Sequence, residues 1–155
     1  MLSLSPLPSA VAGIGTDITY VSRVAAVFER HPERFVKRIL GEQEQQVFKG
    51  RYERDSRRGM RYLATRFAAK EAFSKAIGLG MHMPMAWSRM QVLNAASGKP
   101  QVVLAEPLKG WFEQRFGAAH VSLTDESDTV MAFVIVESPL ISTFLSSSDD
   151  NDAKQ

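Results

Sequence analysis

The chain has 155 residues, of which 45% are hydrophobic and 23% charged, and its 19 basic and 17 acidic side chains leave a net charge of +2. This composition is typical of one globular domain and argues against a disordered chain. The absence of cysteine excludes disulfides, thiolate zinc sites, iron–sulfur clusters and a cysteine nucleophile. No apolar run reaches the roughly 20 residues that cross a bilayer, and the first residues lack the charge of a signal peptide. We therefore expect a cytoplasmic protein without a membrane partner.

The N-terminal segment predicts a strand followed by a helix. Residues 1–8 are expected to form a flexible leader, and Ser9–Ile14 reads as a short buried strand. Thr16 and Asp17 would lie in the turn after it, where either residue could cap the next helix. The apolar residues of that helix recur at helical spacing: Ile18, Val21, Val24, Ala25 and Phe28. Pro32 is expected to interrupt the helix, because proline disfavours the helical conformation of the residue before it.

Three further segments up to Gly78 favour helix. A short helix over Glu33–Leu40 is followed by Glu42–Tyr52, which is polar and is expected to face solvent. We expect Arg54–Gly59 to be a charged connector. The strongest prediction is a helix over Arg61–Ile77, because this alanine-rich stretch contains neither glycine nor proline and is stopped by Gly78.

The C-terminal half predicts two hairpins around a short helix. The expected strands are Arg89–Leu93 with Gln101–Leu104, and His120–Thr124 with Thr129–Glu137; the helix is Pro107–Phe116. Because hairpins pair antiparallel strands, the fold class predicted is α+β, with an antiparallel sheet packed on the long central helix. We expect a single domain over residues 9–139 and a disordered tail over residues 140–155.

Short catalytic motifs are largely excluded. Gly13-Ile14-Gly15 lacks the third glycine of a dinucleotide-binding turn, and Gly98-Lys99 lacks the other residues of a phosphate-binding P-loop. The three histidines are far apart, and no G-x-S-x-G sequence is present.

One stripe of the long helix carries the side chains of greatest chemical interest. At 100° per residue, five residues fall within a sector about 100° wide: Phe67, Glu71, Ser74, Lys75 and Gly78. Arg66 and Lys70 flank this stripe. A carboxylate beside an ammonium and a hydroxyl suits a hard cation together with phosphate oxygens. Glu71 and Lys75 could equally be an ordinary surface ion pair, and Asp17 a helix cap, because spacing alone does not bring Asp17 to this helix.

Two segments resemble the signatures of the holo-acyl-carrier-protein synthases, the small bacterial type of 4'-phosphopantetheinyl transferase. They are Gly13–Ile18, with the sequence GIGTDI, and Arg66–Ala76, with the sequence RFAAKEAFSKA. Ser97–Pro100 and His120–Thr124 are similar to two further family segments in the same order. The resemblance spans roughly residues 12–137, and its long helix signature is specific.

The resemblance implies the 4'-phosphopantetheinyl transferase fold and an enzyme of fatty acid biosynthesis. Phosphopantetheine would pass from coenzyme A to a serine of apo-acyl carrier protein, releasing adenosine 3',5'-bisphosphate. Asp17 and Glu71 match the family's Mg²⁺ ligands, and Lys75 matches its phosphate contact, so Glu71 and Lys75 are the expected catalytic residues. The serine proton could pass to Glu71 or to a water on the metal, and the sequence leaves this open. The positions matching coenzyme A contacts are Arg66, Ser74, Lys75, Gly78, Gly80, Lys99, Pro100 and Thr124.

Family resemblance also implies a homotrimer with sites between subunits, and a basic docking surface. The segment between Tyr20 and Leu40 carries five basic and two acidic residues. Arg23, Arg30 and Arg34 match the arginines that dock acidic carrier proteins in the family, although a solvated basic face would have the same composition.

One residue departs from the family pattern. Asp125 follows Ser122-Leu123-Thr124 where the family usually carries histidine, so a contact to the coenzyme could be lost, weakened or replaced. A catalytically silent relative is therefore one alternative. A small nucleic-acid-binding module is another, because the densest basic stretch would suit phosphate backbones: Arg51, Arg54, Arg57, Arg58 and Arg61. No nucleic-acid motif accompanies that stretch, so we expect no nucleic acid partner.

Overall fold

The computed structural model describes residues 10–139, where five α-helices and five strands are joined by turns. A 3-10 turn at Trp87–Arg89 precedes the second strand. In chain order the elements are β1 Val11–Tyr20, α1 Val21–Arg30, α2 Pro32–Ile39, α3 Glu42–Arg54, α4 Ser56–Ala76, β2 Met90–Asn94, β3 Pro100–Leu104, α5 Leu108–Glu113, β4 Ala119–Glu126 and β5 Thr129–Glu137.

The central layer is a three-stranded antiparallel sheet in the order β1-β5-β4, and α4 lies across its inner face. The inward residues of β5 are completely buried: Val130, Ala132, Val134 and Val136. They pack in one core with α4 residues that are equally buried: Leu63, Ala68, Ala69, Ala72 and Phe73. A second antiparallel pair, β2-β3, forms the predicted hairpin. The α+β class and the sheet on a long helix are thereby confirmed.

The first strand is longer than its sequence predicted. β1 continues to Tyr20 because every residue from Gly13 onward pairs with β5, and Asp17 lies opposite Ala132 in the middle of this ladder. The predicted strand end at Ile14 and the predicted capping roles of Thr16 and Asp17 are therefore wrong.

Asp128, in the turn between β4 and β5, caps α1 instead. Its carboxylate accepts hydrogen bonds from the backbone N–H of Ser22 at 2.9 Å and from the Ser22 hydroxyl at 2.5 Å. Ile18 belongs to the sheet, where it is 64% exposed, and not to the apolar face of α1. This capping residue is distant in sequence, so local patterns could not identify it.

The connector predicted over Arg54–Gly59 is also wrong. α3 continues to Arg54, and α4 begins at Ser56. Only Asp55, whose backbone is extended, separates the two helices. Asp55 caps α4 by accepting a hydrogen bond from the backbone N–H of Arg57 at 2.9 Å. By contrast, the predicted break at Pro32 is confirmed, since Pro32 occupies the first position of α2.

The prediction that α3 faces solvent is wrong for its buried side, where Glu44 and Lys70 form an ion pair that is completely buried. Oε1 of Glu44 accepts from Lys70 Nζ at 2.6 Å and from the backbone N–H of Gly41 at 3.1 Å. Oε2 accepts from the buried N–H of Val92 at 3.0 Å. Lys70 also donates to the carbonyl of Met90. Burial lowers the pKa of Lys70, and the charge of Glu44 opposes that shift.

The predicted leader over residues 1–8 and tail over residues 140–155 lie outside the described residues. They stay predictions, as does the single domain over residues 9–139. Within residues 10–139, no helix is both long and apolar enough to cross a membrane.

Candidate active site

Two glycines allow β1 to lie directly against the backbone of α4. A Cβ atom at Gly15 would lie 1.9 Å from the carbonyl oxygen of Ala72, and one at Gly13 would lie 2.0 Å from that of Ala76. Any side chain at either position would therefore displace the strand from the helix. Asp17 lies two residues after Gly15 and therefore on the same face of β1, so its side chain lies beside α4.

The side chain of Asp17 meets that of Lys75 at this crossing. Lys75 Nζ donates to Asp17 Oδ1 at 3.1 Å and to the carbonyl of Thr16 at 2.8 Å. The hydroxyl of Thr19 donates to Asp17 Oδ2 at 2.8 Å. The carboxylate is only 16% exposed, whereas the Lys75 side chain is 52% exposed. The fold thus joins two of the predicted site residues across 58 positions of sequence.

Glu71 lies one helical turn before Lys75 but does not pair with it. Its Oε1 accepts a hydrogen bond from the indole Nε1–H of Trp87 at 3.2 Å. Neighbours at this helical spacing have Cβ atoms about 5–6 Å apart. Asp17 and Glu71 therefore both adjoin Lys75, and the ordinary surface pair of Glu71 with Lys75 is not formed.

The donor set fits a divalent ion that shares its ligands with a substrate. Within residues 10–139, no group of three or more His, Cys, Asp or Glu side chains could hold a metal on its own. Mg²⁺ is bound in many enzymes by one or two carboxylates, with substrate phosphates and water as its other ligands. The Lys75 ammonium is the present ion-pair partner of Asp17 and would have to move for a metal ion to bind that carboxylate.

A strongly basic pocket of about 600 Å³ lies between the α3–α4 corner, the β2-β3 hairpin and β4. Five arginines line it: Arg51, Arg54, Arg58, Arg61 and Arg66. Its other walls include Tyr62, Asn94 and Pro100. Four of the five arginines of the basic stretch noted in the sequence line this pocket, which suits a compact anion better than a long nucleic acid backbone.

Arg66 is held firmly at the inner wall of this pocket. Its guanidinium donates to Val92 O at 3.3 Å, Thr65 Oγ1 at 3.3 Å and Asn94 Oδ1 at 3.2 Å. Three of the five N–H donors of an arginine are thus engaged within the protein. Burial lowers the pKa of Arg66.

The ring of Tyr62 lies near two of these guanidinium groups, those of Arg66 at 4.2 Å and Arg51 at 4.8 Å from its centroid. Among residues 10–139, its buried hydroxyl has no hydrogen-bond partner. Burial raises the pKa of Tyr62 to about 12. The phenol is therefore neutral at physiological pH and adds no charge to the pocket.

Asp125, the residue that departs from the family pattern, is neutralised inside the same pocket. Its Oδ2 lies 2.7 Å from Nη1 of Arg61, and both side chains are about two-fifths exposed, at 42% and 41%. An acidic group at this position therefore engages one arginine as an internal counter-ion. An exposed pair of this kind contributes little to stability but competes with any anion that binds Arg61.

The remaining residues that match coenzyme contacts differ in accessibility. Ser74 is 1% exposed, and its hydroxyl donates to the carbonyl of Glu71 at 2.7 Å. Gly78 and Gly80 follow α4 with φ angles of 78° and 59°, a backbone region that favours glycine. Lys99 is exposed in the hairpin turn, and Thr124 is exposed on β4.

The three arginines expected to dock a carrier protein are all exposed but do not lie on one helix. Arg23 and Arg30 belong to α1, whereas Arg34 belongs to α2. His31, with φ −148° and ψ 71°, separates the two helices. Spacing along a continuous helix therefore does not relate Arg34 to the other two.

Sequence patterns missed two contributors, Trp87 beside Glu71 and Asn94 beside Arg66. Neither residue belongs to a motif, and both lie on elements that reach α4 only through the tertiary fold. No signal in the sequence could have identified them.

Comparison with known proteins agrees with this architecture. Residues 13–134 match the model of the 4'-phosphopantetheinyl transferase superfamily. A Bordetella pertussis protein named holo-[acyl-carrier-protein] synthase is 57% identical over 130 residues, covering 84% of this chain and 85% of the relative. A Polaromonas protein of the same name is 56% identical over 127 residues, covering 82% and 96%.

Solved structures give the same result. The crystal structure of a holo-[acyl-carrier-protein] synthase from Neisseria meningitidis is 36% identical, with a TM-score of 0.75 over 82% of this chain and 98% of that chain. A Bacillus anthracis enzyme in complex with CoA (3',5'-ADP) is 31% identical, with a TM-score of 0.69 over 84% and 99%. The chain belongs to the 4'-phosphopantetheinyl transferase superfamily and, within it, to the holo-[acyl-carrier-protein] synthases.

Proposed function

We propose that this chain transfers the 4'-phosphopantetheine group of coenzyme A to a serine of apo-acyl carrier protein, with Mg²⁺ held by Asp17 and Glu71. Relatives more than half identical bear the name of this activity, which confirms the predicted reaction. The observation that carries the residue assignment is the contact of Asp17 with Lys75, which joins the two signature segments at one place.

Each of the three residues has a distinct task in this proposal. Asp17 and Glu71 supply the carboxylates, and a bound Mg²⁺ would offset the charge that builds up on the pyrophosphate. When coenzyme A binds, the Lys75 ammonium would leave Asp17 and bind the phosphate oxygens instead. The base that takes the serine proton would be Glu71 or a water on the metal.

The bond changes follow from the product. The serine oxygen forms a bond to the phosphorus that carries pantetheine, and the bond from that phosphorus to the bridging oxygen breaks. Adenosine 3',5'-bisphosphate leaves with the electron pair, and the serine proton passes to the base. Most of the rate should come from positioning and from charge stabilisation, as is usual in phosphoryl transfer.

The arginine pocket is the proposed site of the adenosine bisphosphate end of coenzyme A. Arg66 and Pro100, which match coenzyme contacts in the family, both line it. Lys99 adjoins Pro100 and adds a positive charge at the rim, while Thr124 adjoins Asp125 on β4. Gly78 and Gly80 stay candidates for close backbone contact with coenzyme A. Ser74 is also a candidate, but its buried hydroxyl would have to rotate to reach the coenzyme.

Arg23, Arg30 and Arg34 are proposed to dock the carrier protein, since all three are exposed and acidic carrier proteins complement them. Replacing Arg23 by Glu should raise the KM for carrier protein, more at low salt, and leave the KM for coenzyme A unchanged. Replacing Lys109 by Glu on α5 makes the same change of charge away from these arginines and serves as the control. An unchanged KM for carrier protein in Arg23→Glu would contradict docking at α1.

We also propose a homotrimer, supported by an apolar outer face of the sheet. Ile14, Ile18, Tyr20 and Met131 are between 38% and 64% exposed there, and β1 pairs directly with β5. A contiguous apolar patch of this kind usually marks a protein interface.

Light scattering during gel filtration tests this assembly. Ile18→Glu should shift the mass from three chains to one, because it buries a charge in the interface. Val47→Glu places the same charge on α3, where Val47 is 40% exposed, and should leave the mass unchanged. A single-chain mass for the unaltered protein would refute the trimer.

The cytoplasmic location stays a proposal, tested by fractionation of cells producing the chain.

The reaction itself is tested by mass spectrometry of an apo-carrier protein incubated with coenzyme A. We expect one phosphopantetheine to be added with Mg²⁺ and none after chelation. Asp17→Asn and Glu71→Gln should each lose about two orders of magnitude in rate, the scale of one preorganised electrostatic contact. Glu113→Gln, on the exposed side of α5, is the matched control and should retain activity. Full activity of either site variant, or in excess chelator, would contradict the metal assignment.

A further inference from the structure

Trp87 makes a hydrogen bond at the candidate site that no family signature accounts for. Its indole Nε1 lies 3.2 Å from Oε1 of Glu71, and the contact is partly buried. Trp87 begins the 3-10 turn before β2 and is 16 residues from Glu71 in sequence. Indole N–H is a donor only, so this group can bind the carboxylate in one way.

Two neighbours fix the plane of the indole. Phe67 stacks on it with a centroid distance of 6.4 Å and an interplanar angle of 17°. The guanidinium of Arg38, on α2, lies 5.3 Å from the ring centroid. Because Phe67 precedes Glu71 by one turn of α4, the ring and the carboxylate that it binds share one helix face. The direction of the N–H is therefore set by three separate elements of the fold.

This hydrogen bond accompanies an unusual pairing of Glu71 and Lys75. A carboxylate four residues before a lysine on an exposed helix face ordinarily forms an ion pair with it. Here Oε1 is engaged by the indole, and Lys75 instead extends to Asp17 and the carbonyl of Thr16. The carboxylate of Glu71 keeps its second oxygen for another ligand, and the ammonium stays near Asp17.

We propose that Trp87 is a positioning residue for phosphopantetheine transfer, in which its indole N–H holds the Glu71 carboxylate in the orientation that the reaction uses. This inference rests on the proposed function, because it assumes that Glu71 acts in the reaction. In this role Trp87 acts through Glu71 and not directly on the serine oxygen or the phosphorus. Its effect is to reduce the number of orientations in which Glu71 is found before substrate binds.

Trp87→Phe tests the N–H donor of Trp87 independently of its aromatic ring. Phenylalanine keeps an aromatic face for Phe67 and Arg38 but removes the N–H. We expect kcat to fall about tenfold, because hydrogen bonds to charged groups are typically worth that factor or more. The KM for coenzyme A should change less than twofold, and the unfolding midpoint should stay close to that of the unaltered chain. Trp87→Ala removes the ring as well and should lower both kcat and the unfolding midpoint.

Nuclear magnetic resonance of the indole groups gives a readout that does not depend on activity. The chain has two tryptophans, so its ¹⁵N–¹H spectrum contains two indole signals, and Trp111→Phe assigns them. Glu71→Gln replaces a charged acceptor by a neutral one and should shift the Trp87 indole proton upfield while the Trp111 signal stays in place. Glu29→Gln removes an exposed carboxylate from α1 and should shift neither signal.

The outcomes separate this inference from the function on which it rests. An unshifted Trp87 signal in Glu71→Gln, or an unchanged kcat in Trp87→Phe, would overturn the positioning role even if the chain is an active synthase. Full activity of Glu71→Gln would overturn the proposed role of Glu71, and the inference with it. A shifted indole signal together with a tenfold loss of kcat and an unchanged KM would support the proposal.

Discussion

The buried pair of Glu44 and Lys70 permits a quantitative prediction about stability. Both side chains have no exposure to solvent, and Glu44 also accepts hydrogen bonds from the backbone N–H groups of Gly41 and Val92. One carboxylate therefore joins the start of α3, the middle of α4 and strand β2. Truncating it in Glu44→Ala would leave a buried ammonium without its counter-ion and two buried backbone N–H groups, those of Gly41 and Val92, without their acceptor.

The expected cost follows from these contacts. Removing one partner of a buried ion pair typically costs about 3–5 kcal/mol. Each of the two unpaired N–H groups, of Gly41 and Val92, adds about 1–3 kcal/mol unless water enters. A domain of this size has a free energy of unfolding of about 5–15 kcal/mol, so Glu44→Ala should remove a large share of it. Replacing the pair together, in the double variant Glu44→Leu and Lys70→Met, should cost much less than the two single changes added, because no buried charge remains.

Urea unfolding at a fixed chain concentration measures these differences. With a slope of about 2 kcal/mol per molar urea, a loss of 4 kcal/mol would lower the midpoint by about 2 M. Asp125→Asn is the control, because it breaks an ion pair whose side chains are about two-fifths exposed, and it should cost less than about 1 kcal/mol. Equal midpoint shifts for Glu44→Ala and Asp125→Asn would refute the argument from burial. Additive single and double variants would refute the coupling.

Three further predictions concern a strand–helix contact, a buried phenol and the basic pocket. Gly15→Ala should abolish folding or most of the activity, because its Cβ would lie 1.9 Å from a backbone oxygen. In Gly50→Ala, the new Cβ would have no atom of the described residues within 4 Å, so this variant should raise stability by about 1 kcal/mol. Thermal unfolding compares the two variants. In an ultraviolet titration, Tyr62→Phe should remove a step near pH 12. Because the folded state holds that proton more tightly than an unfolded chain, stability should fall as pH rises from about 10 through 12, and less so in the variant. Asp125→Asn frees Arg61 and should tighten adenosine 3',5'-bisphosphate binding several-fold in calorimetry, more at low salt; unchanged affinity would contradict the internal counter-ion.

Local patterns in the sequence predicted the helices and hairpins well where one element dominates its own environment. The alanine-rich stretch of α4 that was predicted lacks glycine and proline, so its own residues favour a helix before any tertiary contact is considered. The Ser97-Gly98 turn allowed the hairpin of β2 and β3 to be predicted, and Gly98 has a φ of 87° there. Pro32 ended α1 for the steric reason expected.

Predictions failed where a distant segment supplies the missing partner. β1 extends through Asp17 because β5 offers hydrogen bonds along its whole length, and that partner lies more than a hundred residues later. Glu44 was expected to face solvent because acidic residues usually do, and its burial is compensated by Lys70 of α4 and by the backbone N–H groups of Gly41 and Val92. The Arg54–Gly59 stretch contains no apolar repeat, but Asp55 caps a helix there through its own local hydrogen bond. In that last case the signal was present in the sequence and was outweighed by the charge of its neighbours.

The two family signatures depend on one another for a steric reason. Asp17 meets Lys75 only because β1 can touch α4, and that approach needs hydrogen atoms in place of side chains at Gly13 and Gly15. On the helix side, the contact is with backbone atoms of Ala72 and Ala76. The glycines of one signature and the helix backbone of the other therefore form a single contact, and the acidic and basic residues beside them are brought together by it. A chain that kept the charged residues but replaced either glycine by a larger residue would lose the site without losing a single reactive group.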